Sequence, residues 1–404
     1  MQNLTSYLLT VTVGLLLSAC GGDSGPTSTG DSFPIPDRDA PNSATDPINK
    51  DPNEGGNFLN QVSEVVQRIQ RNLSADQIPA LTDPVFVDVN SSDANYIKED
   101  DLVLGLFIGG EAKAYPHNIG WLHEITNDTI GGKAVVVSFC PLTGTGMVFD
   151  GEDGSGGRLT CGVSGNLFNN NLVMYDRRDN LNGATLYPQM MGLGVTGART
   201  GNTLSLLPVV ETTWRYWKTL YPDTKVVGSN QPANVGNPRQ YNGSAYQRYP
   251  YGGYRDPQSE PFFNTWPSLR NNPTRQLYNN KDGMLGVRFG ELAKAYPFRA
   301  MDAETVINDT VGGNEIDIVH HAAEQLAIPY FREFNGQLLS FEKVGSLNTA
   351  LFPFMMRDSQ SETTWDLLGR GVDGPNTGQQ LTQVPAHNAF WFAWATFWQN
   401  TGVL

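Results

Sequence analysis

Glu111-Ala112-Lys113-Ala114-Tyr115-Pro116 returns later in the chain as Leu292-Ala293-Lys294-Ala295-Tyr296-Pro297, and Asn127-Asp128-Thr129-Ile130-Gly131-Gly132 returns as Asn308-Asp309-Thr310-Val311-Gly312-Gly313. Both pairs share an offset of 181, from 296 − 115 and from 308 − 127. One offset over two separated motifs is the mark of an internal repeat, in which a structural unit is built twice. The correspondence resumes with Trp214 and Trp217 against Trp391 and Trp394 at an offset of 177, four residues having been lost between. Each copy thus spans about 120 residues, Leu104 to Val227 and Leu285 to Leu404. The Asn-Asp-Thr-x-Gly-Gly element lies between apolar runs and ends in residues that take positive φ, which predicts a hairpin or tight loop. The Trp pairs, at i and i+3, predict one buried helix face.

Working outward, 43 Gly and 25 Pro among 404 residues supply many turns, and 39% hydrophobic with 10% aromatic residues supplies ample core. That balance predicts a mainly β (α+β) fold of two homologous β-rich halves from a tandem duplication, with a few short helices. Residues 57–228 read as a helix plus the first β-rich copy, and 283–404 as the second. Phe58, Val62, Val65, Val66 and Ile69 recur near helical spacing, so an amphipathic helix is expected over Phe58 to Leu73. Between the copies, residues 229–282 are dense in Asn, Pro, Arg and Tyr, including Tyr249-Pro250-Tyr251-Gly252-Gly253-Tyr254. So many rings predict an ordered connector packed on the halves.

Charge narrows the partners. With 27 Lys plus Arg against 41 Asp plus Glu, the net charge of −14 repels phosphate backbones, so nucleic acid is excluded as a partner class. At the start, Tyr7 to Leu17 is an apolar run short of the roughly 20 residues that span a bilayer, but suited to a signal-peptide core. It ends in Leu17-Ser18-Ala19-Cys20, which resembles the lipobox of bacterial lipoproteins, although Met1 to Ser6 carries no Lys or Arg. This resemblance implies a signal peptide over 1–20, acylation of Cys20, and an extracytoplasmic, membrane-anchored location, at the outer membrane in a Gram-negative host. Residues 21–56 hold almost no large apolar side chains and predict a disordered tether.

Comparing the copies separates shared framework from private chemistry. Tyr115-Pro116-His117-Asn118-Ile119-Gly120-Trp121-Leu122-His123-Glu124 in the first copy faces Phe298 at the position of His117, Asp302 at Trp121 and Glu304 at His123 in the second. Cys140, opening Cys140-Pro141-Leu142-Thr143-Gly144-Thr145 after an apolar strand, aligns with His321. In a chain with five His, the first copy thus gathers His117, His123 and Cys140 within 24 residues.

These stretches, with Trp121 to Asp128, Gly162 to Asp176 and Phe390 to Thr396, resemble domain of unknown function family 3179 over nearly everything after the tether. The resemblance implies a Cys-Pro-Leu-Cys centre, whose second cysteine is Thr143 here, and an apolar residue where this chain has Cys161. It also implies polar partners near the site at Asp176 and Gln189, each able to support a site residue from behind. Asp176 reads equally as the start of a turn.

Reading Ala134–Cys140, Thr145–Asp150 and Arg158–Val163 as a three-strand meander puts Ser138 opposite Met147 and Met147 opposite Cys161. Cys140 and Cys161 would then be about two strand spacings apart, roughly 9–10 Å, too far for a disulfide. Three readings of the private group follow. In the first, His117, His123 and Cys140 ligate copper or zinc, which thiolate and imidazole suit. Shared ligation requires an extended segment, because residues six apart point about 120° apart on a helix. In the second, His123 activates Cys140 for redox or acyl-transfer chemistry. In the third, the chain is a scaffold or ligand-binding module presenting an aromatic cleft to a small molecule or protein. His320 and His321 of the second copy are expected near the interdomain cleft.

Overall fold

The computed structural model describes residues 62–404 except 153–155, 179, 233–240, 242 and 264–273. The signal peptide, Cys20 and the tether therefore lie outside the described residues. Helix α1 covers 62–68, so it ends short of Leu73: Gln70–Arg71 is instead an edge strand paired with Asn166 and Leu167. Its buried face is Val62, Val65 and Ile69.

The first half then runs β1 (Leu102–Ile108), β2 (Glu111–Pro116), α2 (His117–His123), β3 (Ile125–Ile130), β4 (Lys133–Cys140), β5 (Thr145–Asp150), β6 (Cys161–Phe168), β7 (Asn171–Asp176), β8 (Val210–Thr213), α3 (Trp214–Leu220) and β9 (Lys225–Val227). The second runs β10 (Gly283–Phe289), β11 (Leu292–Pro297), β12 (Glu304–Val311), β13 (Asn314–His321), β14 (Leu326–Phe331), β15 (Phe341–Gly345), β16 (Phe354–Asp358), β17 (Ala386–Phe390), α4 (Trp391–Phe397) and β18 (Gly402–Val403). The fold is mainly β with few short helices.

The ladders keep the spacing of the motifs. Val103 pairs Pro116 as Met284 pairs Pro297, and Ile125 pairs Ser138 as Val306 pairs Val319. The parallel strand beside each hairpin pairs Val226 with Ala114 and Val403 with Ala295. The repeated motifs meet across layers: Asp128 accepts from Tyr115 (2.7 Å) and Lys113 (2.9 Å), and Asp309 from Tyr296 (2.7 Å) and Lys294 (2.6 Å). Most of the Asn-Asp-Thr element is therefore strand, and only its Gly-Gly is turn. Gly105 and Gly286 are required by close approach, since a Cβ there would meet the rings of Trp217 at 2.3 Å and Trp394 at 2.0 Å.

Central strand β4 reads Lys-Ala-Val-Val-Val-Ser-Phe-Cys because it is covered on both faces, which suits a continuous apolar run. Val135 and Val137 enter one core with Leu104, Ile119 and Trp217; Val136 and Cys140 enter another with Phe149, Met174 and Trp391. That second core joins the halves. There the amide of Phe390 donates to Thr143 O at 2.8 Å, and reciprocally Thr212 Oγ1 donates to Glu324 O at 2.7 Å. Glu324 stands at the 181 offset from Thr143.

The expected meander is corrected in part. Ser138 does face Met147, but the outer neighbour of β5 is Leu206–Leu207, while β6 joins β7 in a separate sheet. The cause is a side chain: Asn127 donates to Cys161 O (2.9 Å) and accepts from Cys161 N (2.7 Å), so β6 starts against β3. Asn308 binds the backbone of Phe341 in the same way, at 2.6 and 2.8 Å. Cys140 and Cys161 are both free and buried thiols.

Candidate functional site

Pro116 starts α2 and the chain reverses at Glu124, whose φ of 56° and ψ of −35° lie in a region that a side-chain-bearing residue occupies only under constraint. The segment is thus helical, and His117 and His123 point apart. Nδ1 of His123 lies 2.6 Å from Pro79 O, so it donates; Nε2 then accepts from the Tyr246 hydroxyl at 2.8 Å. Burial holds this imidazole down at about 4, against the Pro79 bond, so it is neutral at ordinary pH. His117 packs its ring 4.1 Å from that of Phe139, with Nε2 facing Glu211 Oε1 at 3.6 Å. Burial, and then Arg255, bring it down to about 3. Phe139 and Cys140 are successive strand residues and face opposite sides, so His117 lies across the strand from the sulfur.

Neither imidazole proposed for Cys140 is therefore turned to it: His123 is bonded to Pro79 and Tyr246, and His117 lies on the other face of the strand. As a copper or zinc donor set the three residues do not fit: both nitrogens of His123 are occupied, and His117 is on the other face. Among the described residues no group of three or more His, Cys, Asp or Glu side chains is arranged to hold a metal ion. The pairing of His123 with Cys140 as base and nucleophile is corrected for the same reason.

What the structure places by Cys140 instead is Glu124. The Glu124 carbonyl accepts from Phe139 N at 2.7 Å, continuing the β3–β4 ladder past its end. Glu124 as a residue is 6% exposed. Burial pushes its carboxyl up to about 8, so it is mostly protonated at neutral pH. Cys140, 1% exposed, directs its S–H toward Asn170 O at 3.7 Å. Burial, and then the nearby Glu124 charge, push the thiol up to about 11, with Thr143 and Leu172 acting the other way.

The connector roofs this pair. Tyr249 donates to Pro141 O at 2.9 Å, and burial with the charge of Glu124 and Cys140 raises the Tyr251 phenol. Asn170 clamps Phe263, donating to its carbonyl (3.1 Å) and accepting from its amide (2.6 Å). Lys281, 5% exposed, sits with Nζ 3.8 Å from the Tyr254 ring and 4.2 Å from that of Phe392, and desolvation brings it down to about 7. Phe390 of the second half presses on the Cys-Pro-Leu-Thr turn so closely that a Cβ at Gly144 (φ 62°) would come within 2.8 Å of its ring.

Of the two supporting residues, Gln189 is at the site's back. It accepts from Thr145 Oγ1 (2.8 Å) and Asn171 Nδ2 (2.7 Å) and donates to Ser138 Oγ (2.9 Å), while Asn171 also donates to Thr143 Oγ1 at 3.0 Å. That network holds the Thr143 hydroxyl. Asp176 is elsewhere, paired opposite Cys161 and gripped by Arg178 at 2.6 and 2.9 Å. Glu124 and Lys281 were missed from sequence. For Glu124 a signal existed, since the second copy has Thr305 there.

A mainly β protein of two similarly laddered halves, with a buried thiol and carboxyl under an aromatic roof, is the class that fold and site define. The chain belongs to the family described as Protein of unknown function (DUF3179), whose profile matches residues 75–401. No curated protein and no solved structure matches it.

Proposed function

We propose that the chain is an extracytoplasmic protein, anchored through acylated Cys20, whose first half is a thiol-dependent acyl-transfer centre with Cys140 as nucleophile and Glu124 as its proton acceptor. The observation that carries this reading is the desolvated carboxyl of Glu124, on a strained backbone, within electrostatic reach of Cys140. Strain retained at such a group is a common feature of active sites. In the step proposed, the Glu124 carboxylate takes the S–H proton and the thiolate attacks an acyl carbon. The carbonyl electron pair moves to oxygen and returns, expelling the leaving group, which receives the proton from Glu124 and leaves a thioester on Cys140. Moving a proton from a group near 11 to one near 8 costs about 4 kcal/mol at rest. That cost shrinks as Glu124 becomes neutral, because its charge is one of the things holding the thiol up.

Acyl transfer is favoured over disulfide exchange because no second thiol among the described residues adjoins Cys140: Thr143 takes that place and Cys161 belongs to another sheet. We read the two halves as products of tandem duplication, supported by the common ladder registers, with the reactive pair present only in the first. Incubation with p-nitrophenyl acetate tests the centre. An acetyl adduct should map to Cys140 and not to Cys161, vanish in Cys140→Ser, and form on the order of 100-fold more slowly in Glu124→Gln. An adduct rate unchanged by Glu124→Gln, or no adduct on Cys140, would leave the scaffold reading in its place.

A further inference from the structure

Arg255 of the connector is a solvent-facing cation held by rings. It ends the short helical turn Gly252–Arg255 and is exposed. Its guanidinium stands 4.3 Å from the centre of the Tyr249 ring and 5.1 Å from that of Trp121, and these two buried rings meet edge to face at 5.4 Å. Among the described residues no hydrogen bond or ion pair engages it. Carboxylates are not lacking, since the chain has 41 Asp plus Glu against 27 Lys plus Arg. The adjacent one, Asp256, instead accepts from Gln258 N at 3.1 Å. The turn is tied by its own bonds, from Asp256 N to Gly253 O at 3.0 Å and from Ser259 Oγ to Gly253 O at 3.1 Å. The rings thus fix the planar group while its N–H donors stay open to solvent.

One tyrosine joins this cation to the Cys140 centre. Tyr249 carries the guanidinium on its ring and reaches with its hydroxyl, at 2.9 Å, the carbonyl of Pro141, the residue after Cys140. Its phenol is raised by burial, lowered by Arg255 and raised by Cys140, so the ring lies within electrostatic reach of both. Next to it, with ring centres 5.7 Å apart, Tyr251 feels the charges of Glu124 and Cys140. The Arg255 charge also reaches His117, which burial and then Arg255 hold down at about 3, so that imidazole is neutral and adds no second charge. The platform belongs to the reactive half alone, because Asp302 replaces Trp121 in the second copy and the connector occurs once. A fixed guanidinium with parallel open donors matches a group presenting two oxygens, a carboxylate or a phosphate, which it binds bidentately.

We infer that Arg255 anchors an oxyanion carried by the acyl donor of the Cys140 centre, so that its substrates are anionic acyl compounds. This rests on the acyl-transfer reading, and the test reads anchor and reaction separately. The full chain is acylated with the 4-nitrophenyl monoester of adipic acid, whose carboxylate is on the acyl group, and with 4-nitrophenyl hexanoate, its neutral match in length. Acetyl phosphate against 4-nitrophenyl acetate puts the anion on the leaving group instead. Each rate is divided by that of free N-acetylcysteine. At least one anionic donor should exceed its neutral match by about tenfold or more, and Arg255→Gln should erase that excess without slowing the neutral esters. Which donor responds tells where the anion is carried. Arg255→Lys should keep only part of the excess, having charge without paired donors. Anchoring alone is read by calorimetry on Cys140→Ser, which should bind monomethyl adipate or inorganic phosphate, should not bind dimethyl adipate, and should lose its binding when Arg255 is also Gln. Equal relative rates for anionic and neutral donors, or an excess that survives Arg255→Gln, would overturn the anchor and leave acyl transfer standing. Binding that depends on Arg255, with no donor acylating Cys140, would uphold the anchor and remove acyl transfer. Neither an anionic excess nor binding that depends on Arg255 would overturn the anchor.

Discussion

Replacing Glu124 by Gln should make the protein more stable, and only at high pH. In the folded chain burial pushes the Glu124 carboxyl from 4.5 up to about 8. The folded state therefore holds a proton that the unfolded state has released across that window, and unfolding stability falls as pH rises through it. A difference of 3.5 units at about 1.36 kcal/mol each amounts to about 5 kcal/mol, present in full below pH 4.5 and gone above pH 8. Gln keeps the size of the neutral acid and cannot ionise. Wild type and Glu124→Gln should thus unfold at the same urea concentration near pH 4, and the variant should gain up to about 5 kcal/mol near pH 9. Glu211, also raised to about 8, and the depressed His117, His123 and His387 bend both curves alike and cancel in the difference. A gap that stays constant with pH would refute the reasoning, because it would mean the carboxyl is solvated or paired.

Further outcomes follow from the same geometry. Glu124→Gln should lower the Cys140 thiol from about 11, read as an earlier midpoint in the pH dependence of iodoacetamide alkylation; a later midpoint contradicts the placement. Gly105→Ala and Gly286→Ala should each cost at least about 1–3 kcal/mol in urea unfolding, since both push a Cβ into a buried indole, and neutrality of either would deny the close approach. Asp317, buried in β13 with both carboxyl oxygens unpartnered, occupies the register position of Val136. Asp317→Val should raise the melting temperature at neutral pH; a fall would show that the carboxyl has a partner worth keeping.

Much of the framework was legible in the chain because its motifs are framework residues. Lys-Ala-Tyr-Pro and Asn-Asp recur because Tyr115 and Asp128, and again Tyr296 and Asp309, bond each other, and the Trp pairs recur because Trp217 and Trp394 fill the space that Gly105 and Gly286 leave. Strand β4 and its partner across the tight turn were readable from alternation and local turns. The departure of β6 was not, because one long-range side chain, Asn127, decides it. At the site, Cys140 was found by its absence from the second copy. His123 was misassigned because its imidazole belongs to a hydrogen-bonded core with Tyr246, 123 residues away. Glu124 differs from the second copy, where Thr305 stands, but the backbone reversal at φ 56° that sets its side chain is not written in any local motif.

The most direct test of that sulfur and carboxyl pairing is infrared titration of the carboxylic C=O band. In the difference spectrum between the wild type and Glu124→Gln, where the buried carboxyls of Glu211 and Asp317 cancel, the account predicts a protonated band that persists at pH 7, disappears with a midpoint near 8, and moves in frequency when Cys140 is replaced by Ser. A protein in which that band has already gone by pH 6, or in which Cys140→Ser leaves it untouched, would contradict the claim that the two groups form one site.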